Sequence, residues 1–313
     1  MISLLLASFL TFVELNCENL FDCQHDSLKQ DLEFLPEGSH RWTPSRYWKK
    51  LNHLSQAILS CGSDSLNPVI PDIIALTEVE NDTVMRDLTK RSLLRNARYE
   101  YIMTSSPDVR GIDVALVYSP LSFRPVSHSS ISVPMPDGVR PTRDILYVRG
   151  MIADGTYLDI FVVHAPSRAS GEADTQRFRM LVAEKVIGKI EEIRREDADA
   201  QIIVTGDFND YADGSSLRYY ETCGLVNASA GCKGRNGAKG TYRYQGEWGS
   251  LDHFVVSQNI IGNIRDCHIN DAGFLLEDDE KYGGKKPRRN YLGPVWKNGY
   301  SDHLPLVLTL RLL

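Results

Sequence analysis

The chain has few of the features that would place it quickly. Its six cysteines, Cys17, Cys23, Cys61, Cys223, Cys232 and Cys267, form no CxxC pair and no Cys/His ligand pattern, which speaks against a zinc site. Cys223 and Cys232 stand close enough in sequence for a loop disulfide, with free thiols an equal alternative. Positive charge is not in excess either. The 35 Lys and Arg against 41 Asp and Glu leave a net charge of −6, whereas a protein that grips long nucleic acid by neutralising phosphates carries a basic face. Cations are dense only locally, in Arg41–Lys50, in Lys233–Lys239 and at Lys285, Lys286, Arg288 and Arg289, enough for a phosphate-binding rim. Long apolar runs are missing apart from Met1–Val13 (MISLLLASFLTFV), which is too short for a comfortable membrane span. That segment is apolar enough for a secretory signal, with Leu6-Ala7-Ser8 near a cleavage position. Yet no Lys or Arg precedes it, and the first strand is expected from about Leu10, so export and retention both stay open and no compartment follows.

No window is biased enough for disorder and no fixed-period repeat occurs. What is present is an ordinary globular composition, 42% hydrophobic and 24% charged, enough for one large core. Residues 10–313 are expected to form one domain into which the apolar segment 1–13 merges.

Along the chain, Phe12–Asn16 predicts a buried strand. Thr43-Pro44-Ser45 opens a helix, with Trp48, Leu51, Leu54, Ile58 and Leu59 at helical spacing. Ile73–Leu76 predicts a strand ending at Glu78, Val84–Leu94 a helix, Tyr99–Met103 and Asp113–Tyr118 strands. Ile145–Ile152 and Leu158–Val163 make a hairpin about Asp154-Gly155. Ala173–Arg195 is an amphipathic helix with Phe178, Leu181, Val182, Val186 and Ile190 on one side. Gln201–Thr205, Leu251–Ser257 and Leu304–Leu310 are further strands. Near-continuous apolar strands with interspersed helices predict an α/β fold of two packed sheets with helices outside.

Polar residues stop these strands at telling places. Asn16 and Glu18, Glu78, His164, Asp207 and Asn209, Asp252, and Asp302 with His303 each lie at the edge of an apolar run, where side chains converge at one rim of a sheet. A lone Asp beside a strand is more often a turn former; so many such positions with this choice of types is not. Glu18, Glu78 and Asp302 offer oxygen donors suited to a hard ion, Mg²⁺ or Mn²⁺, rather than zinc. Such an ion neutralises phosphate oxygens that would repel a nucleophile, while Asn and His donate hydrogen bonds to the charged transition state.

The segments LNCENLFD (Leu15–Asp22), IIALTEVEN (Ile73–Asn81), GIDVALVY (Gly111–Tyr118), TRDILYVRG (Thr142–Gly150), VVHAPSR (Val162–Arg168), VTGDFND (Val204–Asp210), SLDHF (Ser250–Phe254) and YSDHLP (Tyr300–Pro305) together resemble the endonuclease/exonuclease/phosphatase, or deoxyribonuclease I-like, superfamily over nearly the whole chain. The resemblance implies a four-layer α/β sandwich of two packed mixed β-sheets flanked by helices. It implies Glu78 as the principal metal ligand, assisted by Glu18 and Asp302. Asp207 would deprotonate or polarise the attacking water, with Asn16 and Asn209 bonding the phosphate or holding Asp207. His303, oriented by Asp252, would face the scissile phosphate as acid or base, and pairing with a carboxylate favours its imidazolium form. His164 matches a second catalytic histidine of the deoxyribonuclease branch, Asp113 its carboxylate partner, and Arg143 a phosphate-binding arginine. On the residues alone, Asp113 could instead pair with Arg110 in a turn, and Arg143 could be a surface cation. His253, the strand neighbour of Asp252, is read as an outward bystander.

Relatives of this core hydrolyse DNA, RNA, inositol phosphates, sphingomyelin and nucleotide tails, with selectivity set by loops. Here those loops would be Arg41–Lys50 and the flap Lys281–Tyr291 (KYGGKKPRRNY), where Tyr282 or Tyr291 could stack on a base. Three readings follow. The first is a metal-dependent nuclease or phosphodiesterase on nucleic acid or nucleotides. The second is a phosphatase for a small sugar or inositol phosphate, which the acidic charge fits at least as well. The third is a non-catalytic binding module, although binding alone would not need Glu78, Asp207 and His303 together.

Overall fold

In the computed structural model, which describes residues 9–64, 67–168 and 172–312, the apolar runs assemble into two six-stranded sheets. The strands are β1 (Phe9–Leu20), β2 (Ile73–Val79), β3 (Glu100–Met103), β4 (Asp113–Tyr118), β5 (Phe123–Ile131), β6 (Ile145–Ile152), β7 (Tyr157–His164), β8 (Gln201–Asp207), β9 (Leu225–Asn227), β10 (Asp252–Ser257), β11 (Ile264–Ile269) and β12 (Leu306–Arg311). The first sheet has the order β11-β12-β1-β2-β4-β3 and the second β9-β10-β8-β7-β6-β5. Each is centred on a parallel pair, β1 with β2 and β7 with β8, flanked by antiparallel strands. This is the mixed, four-layer sandwich that the sequence implies. Residues 1–8, most of the signal-like segment, lie outside the described residues.

Among the described residues, four α-helices complete the layers: α1 (Pro44–Cys61), α2 (Asp82–Arg86), α3 (Glu172–Glu196) and α4 (Ser215–Thr222). Extended Thr43 places Pro44 in the first turn of α1, where its missing N–H costs nothing. Leu51, Leu54 and Ile58 are buried in the same core as β1, while Trp48 and Leu59 are only half-buried. Val182, Val186 and Ile190 of α3 cover Phe161, Val163, Ile202 and Val204 of the second sheet. The helix expected over Val84–Leu94 forms as Asp82–Arg91 but breaks at extended Ser92. A wide turn at Asp87–Arg91 follows α2, and Ser92 starts a new short turn by accepting the Leu94 N–H on its hydroxyl. Strand β5 escapes the apolar pattern because its residues Arg124–Ser130 are mostly exposed on the sheet edge.

Period-two alternation decides what meets between the sheets. On β7, Leu158, Ile160 and Val162 belong to the inter-sheet core, while Phe161 and Val163 face α3. On β1, Phe12 meets Phe254 of β10 edge-on, ring centroids 6.5 Å apart. Glu14 and Asn16, two and four residues further along the same face, therefore also point into the inter-sheet space. Each fully buried aliphatic side chain in this layer contributes about 1.5–3 kcal/mol.

Gly206 explains one letter of the GDFND segment. Its φ is +132°, and a Cβ there would lie 1.9 Å from the Val163 carbonyl oxygen on β7. Any side chain would push β8 away from β7 just where Asp207 is delivered. Gly206→Ala should therefore cost about 3 kcal/mol or more, from strain plus backbone collision. Thermal unfolding measures this, and an unchanged midpoint would contradict the packing described.

Candidate active site

Irregular backbone aims the side chains at one rim. The β1–β2 register shifts between Asn16 and Leu20, and the β2–β4 register between Thr77 and Val79. At these bulges Glu18 (φ 49°), Asn19 (φ 57°) and Glu78 (φ 60°) adopt left-handed backbone, as does Asn209 (φ 49°) after β8. Such conformations cost of order 1–3 kcal/mol each in a residue other than glycine and concentrate at functional sites. Across the second sheet, Asp252, Asp207 and His164 are direct register partners on β10, β8 and β7, so three polar side chains stand in a row.

Two hydrogen bonds join that row to the rest of the molecule. Asn16 Nδ2 on β1 donates to Asp207 Oδ2 at 3.0 Å, and the Asp207 carboxylate also takes the Asn209 N–H at 2.8 Å. His303, immediately before β12, shares a 2.8 Å bond between its Nδ1 and Asp252 Oδ2. Ser301 Oγ donates to the Asn16 carbonyl and accepts the His303 N–H, fixing the approach of this last segment. Burial pushes the Asp207 carboxyl up to about 7, reinforced by Asp252 and opposed by His303. Burial alone would lower the His303 pKa, but Asp252, then Asp207 and Asp302, hold it well above its ordinary value. His303 is an imidazolium among carboxylates, and Asp207 is a carboxylate poised to take a proton near neutrality.

The remaining acids line the open side. Glu78 takes the Asn19 N–H on Oε2, and its Oε1 lies 3.8 Å from both His164 Nε2 and the Arg110 guanidinium. His164 Nε2 is also 3.7 Å from Asp207 Oδ2. Burial, then the cations Arg143, Arg110 and His303, drive the His164 pKa well down, so this ring is neutral. Glu18 accepts the N–H groups of Asn290 (2.6 Å) and Tyr291 (3.1 Å), with Lys50 Nζ 3.6 Å and Arg289 Nε 3.5 Å away. Burial and the nearby Asp302 push Glu18 up to about 7. Asp302 bonds the other edge of Arg289 at 3.0 Å.

Two donor sets could hold a divalent cation. Glu78, Glu18 and Asp302 are all oxygen donors within the field of Lys50, which fits a hard ion. Asp207, Asp252 and His303 present atoms within 4.8 Å of one another. A protonated His303 has no lone pair to offer, however, and Asp207 and Asp252 already accept hydrogen bonds from Asn16 and His303. The first set offers the harder, all-oxygen donors, but among the described residues only the second brings its ligand atoms within 4.8 Å of one another, and Glu18 and Asp302 are both held by Arg289.

The structure does not assemble several expected arrangements. Asp113 accepts from Thr104 Oγ1 at 2.5 Å and from the Ser106 N–H at 3.0 Å, and His164 Nδ1 has no hydrogen-bond partner among the described residues. The His164–Asp113 pair is therefore not formed, because Asp113 satisfies the turn before β4 instead. Arg143 is buried, donating to the Ala165 carbonyl at 2.8 Å and to Asp108 at 3.3 Å; its fork braces backbone rather than facing solvent. His253 is fully buried, not outward, with Nε2 3.0 Å from the Asp210 carbonyl oxygen and Nδ1 beside Asn227. Tyr291 is buried beside His40 and Trp42 and donates to the His40 carbonyl, whereas Tyr282 is half-exposed, with Lys281 Nζ 4.8 Å over its ring. Cys223 packs in the α3–α4 core, whereas the Cys232 thiol donates to the Cys267 carbonyl at 3.1 Å, so of the two alternatives the free thiols hold, for all six cysteines.

Sequence reading knew Arg110, Lys50 and Arg289 only as local cations and did not place them beside these acids, and it passed over Tyr242, whose ring lies 4.9 Å from that of His303. Arg110 and Arg289 fall in loops, and Lys50 looks like a solvated helix cation although it is buried and donates to the Tyr300 carbonyl at 2.6 Å. Arginines 110 and 143 should separate cleanly. Arg143→Leu strands the buried Asp108 carboxylate and should cost about 3–5 kcal/mol of stability. Arg110→Ala should leave the unfolding midpoint unchanged and raise KM for a phosphate ester. The reverse pattern would exchange their roles.

The family model described as Endonuclease/Exonuclease/phosphatase family matches residues 11–312. No curated protein matches the sequence. Solved structures with the same fold include the Bacteroides thetaiotaomicron mannosyl-6-phosphatase (20% identity, TM-score 0.61, covering 96% of this chain and 98% of that one). A humanized D. rerio TDP2 (13%, TM-score 0.60, 97% and 99%) and the human Nocturnin catalytic domain with bound sulfate (18%, TM-score 0.56, 96% and 93%) are similar too. With the family model spanning nearly every residue and the two-sheet architecture in place, the chain belongs to the endonuclease/exonuclease/phosphatase family.

Proposed function

We propose that this chain is a divalent-metal-dependent phosphoester hydrolase whose water is activated by Asp207 and whose transition state is stabilised by His303, with phosphodiesters of nucleic acid or nucleotides as the substrate class. Members of the family are phosphoester hydrolases. The observation that carries the reading is the pair of buried ties, Asn16 to Asp207 at 3.0 Å and His303 to Asp252 at 2.8 Å, which sets a proton acceptor and a proton donor at one rim.

In this reading Asn16 and the Asn209 N–H hold Asp207 so that a free lone pair can take the proton of the attacking water. The His303 imidazolium, braced by Asp252, donates from Nε2 to a phosphoryl oxygen as charge accumulates. Neutral His164 and the half-exposed Arg110 offer further donors on the Glu78 side. When bound by Glu78 with Glu18 and Asp302, Mg²⁺ or Mn²⁺ would withdraw charge from the phosphoryl oxygens. The net charge of −6 and the fold shared with a mannosyl-6-phosphatase favour a second reading, a phosphatase for a small sugar phosphate.

The test is hydrolysis of bis(p-nitrophenyl) phosphate, supercoiled DNA and a hexose 6-phosphate with Mg²⁺ or Mn²⁺. Diester cleavage supports the first reading, and monoester release alone supports the second. Asp207→Asn and His303→Ala should each lower kcat by about 10²–10⁴-fold with the fold retained. EDTA should abolish turnover and added metal restore it. Activity that survives EDTA, or either variant near wild-type rate, would refute the assignment.

A further inference from the structure

Glu14 is a carboxylate-bearing side chain in the middle of β1, fully buried between the sheets. Its face of β1 is fixed by its neighbours: Phe12 packs on Phe254, and Asn16 bonds Asp207. Between those two contacts, Glu14 points toward Asp252, the charged group that acts on it most strongly, with His303 and Asp207 the next. Neither Glu14 oxygen has a donor partner among the described residues, and Asp252 Oδ1 has none either, although Oδ2 of the same carboxylate holds His303. Two facing carboxylates with no cation between them cannot both be charged in a dry core, whereas one shared proton satisfies an oxygen on each.

We propose that Glu14 is a positioning residue of the active site, a neutral carboxylic acid that donates to Asp252 Oδ1 and so completes a buried relay Glu14–Asp252–His303. The proton stays on Glu14, and no bond is made or broken there. With Oδ1 engaged from below, Asp252 is held in the rotamer that presents Oδ2 to His303 Nδ1, and its negative charge remains available to the imidazolium. Burial raises the Glu14 pKa well above its ordinary value, as do Asp252 and Asp207 against the opposing pull of His303. Without this donor, Asp252 would carry a bare buried oxygen and could rotate away from the ring. Asparagine or glutamine at this position would keep a donor, but an aliphatic residue would not. The catalytic part of this inference rests on the hydrolase reading above; the protonation state of Glu14 does not.

Glu14→Gln and Glu14→Leu, compared with the wild type, test it. On bis(p-nitrophenyl) phosphate with Mg²⁺, Glu14→Leu should lower kcat by roughly tenfold to a hundredfold, the scale of one buried hydrogen bond to a charged group, with KM little changed. Glu14→Gln, which keeps a donor of the same shape, should recover most of that loss. A purely structural Glu14 would instead move the unfolding midpoint without this split in kcat. Independently of any activity, the infrared difference between wild type and Glu14→Gln at neutral pH should contain the C=O stretch of a protonated carboxyl. Absence of that band, equal kcat for wild type and Glu14→Leu, or Gln as damaging as Leu would each overturn the proposal. Should the wild type hydrolyse no phosphate ester, the infrared band alone decides it, and the fault lies with the hydrolase reading.

Discussion

The gap between the two sheets is bridged at the functional rim by a 3.0 Å hydrogen bond from Asn16 on β1 to Asp207 on β8, and the arrangement of the site depends on it. Asn16 is the last regular pairing of β1 with β2 before the bulge, so its amide can turn inward while Glu18, two residues on, is thrown toward the loop at Asn290. Asp207 is the last residue of β8, pressed against β7 by a glycine that tolerates no side chain. Shift either strand by one residue and alternation would send these groups to the outer faces.

Around that bond the site concentrates charge that the core would otherwise exclude. Asp207, Asp252, Glu14 and His303 are all buried, and burying an unpaired charge is costly. The cost is contained by giving every charged group a partner: a histidine between two aspartates, amide donors on Asp207, and lysine and arginine against Glu18. The same containment leaves Asp207 pushed up to about 7 by burial while His303 is held protonated. Both groups are displaced upward, so the acid can take a proton near neutrality while the histidine keeps one to give.

Much of this was legible in the residues. The parallel centre strands read as near-continuous apolar runs, broken only at positions such as Glu14 and Asp159, and most of the acids and histidines stood out because they end those runs. The order of the GDFND, LDHF and SDHLP segments then implied the fold. What stayed hidden was set by tertiary contact. Edge strand β5 carries polar residues because one of its sides has no partner strand. Lys50 on α1 resembles any surface lysine until α1 buries it beside Glu18. Asp113 and Arg143 sit at the right places in the chain, but a threonine hydroxyl and a backbone carbonyl claim them first. Glu14 lies inside the first strand expected from the sequence, and only the meeting of β1 with β10 shows that it faces Asp252.

Whether carboxylates from both ends of the chain share a cation while His303 stays with Asp252 can be seen directly. Crystals soaked with Mn²⁺ and phosphate, with the metal located by anomalous scattering, would show where the ion sits. The account predicts Mn²⁺ on Glu78 with Glu18 or Asp302, a phosphate oxygen facing His303 Nε2, and the His303–Asp252 bond intact. An ion held by Asp207, Asp252 and His303, with that bond broken, would contradict it.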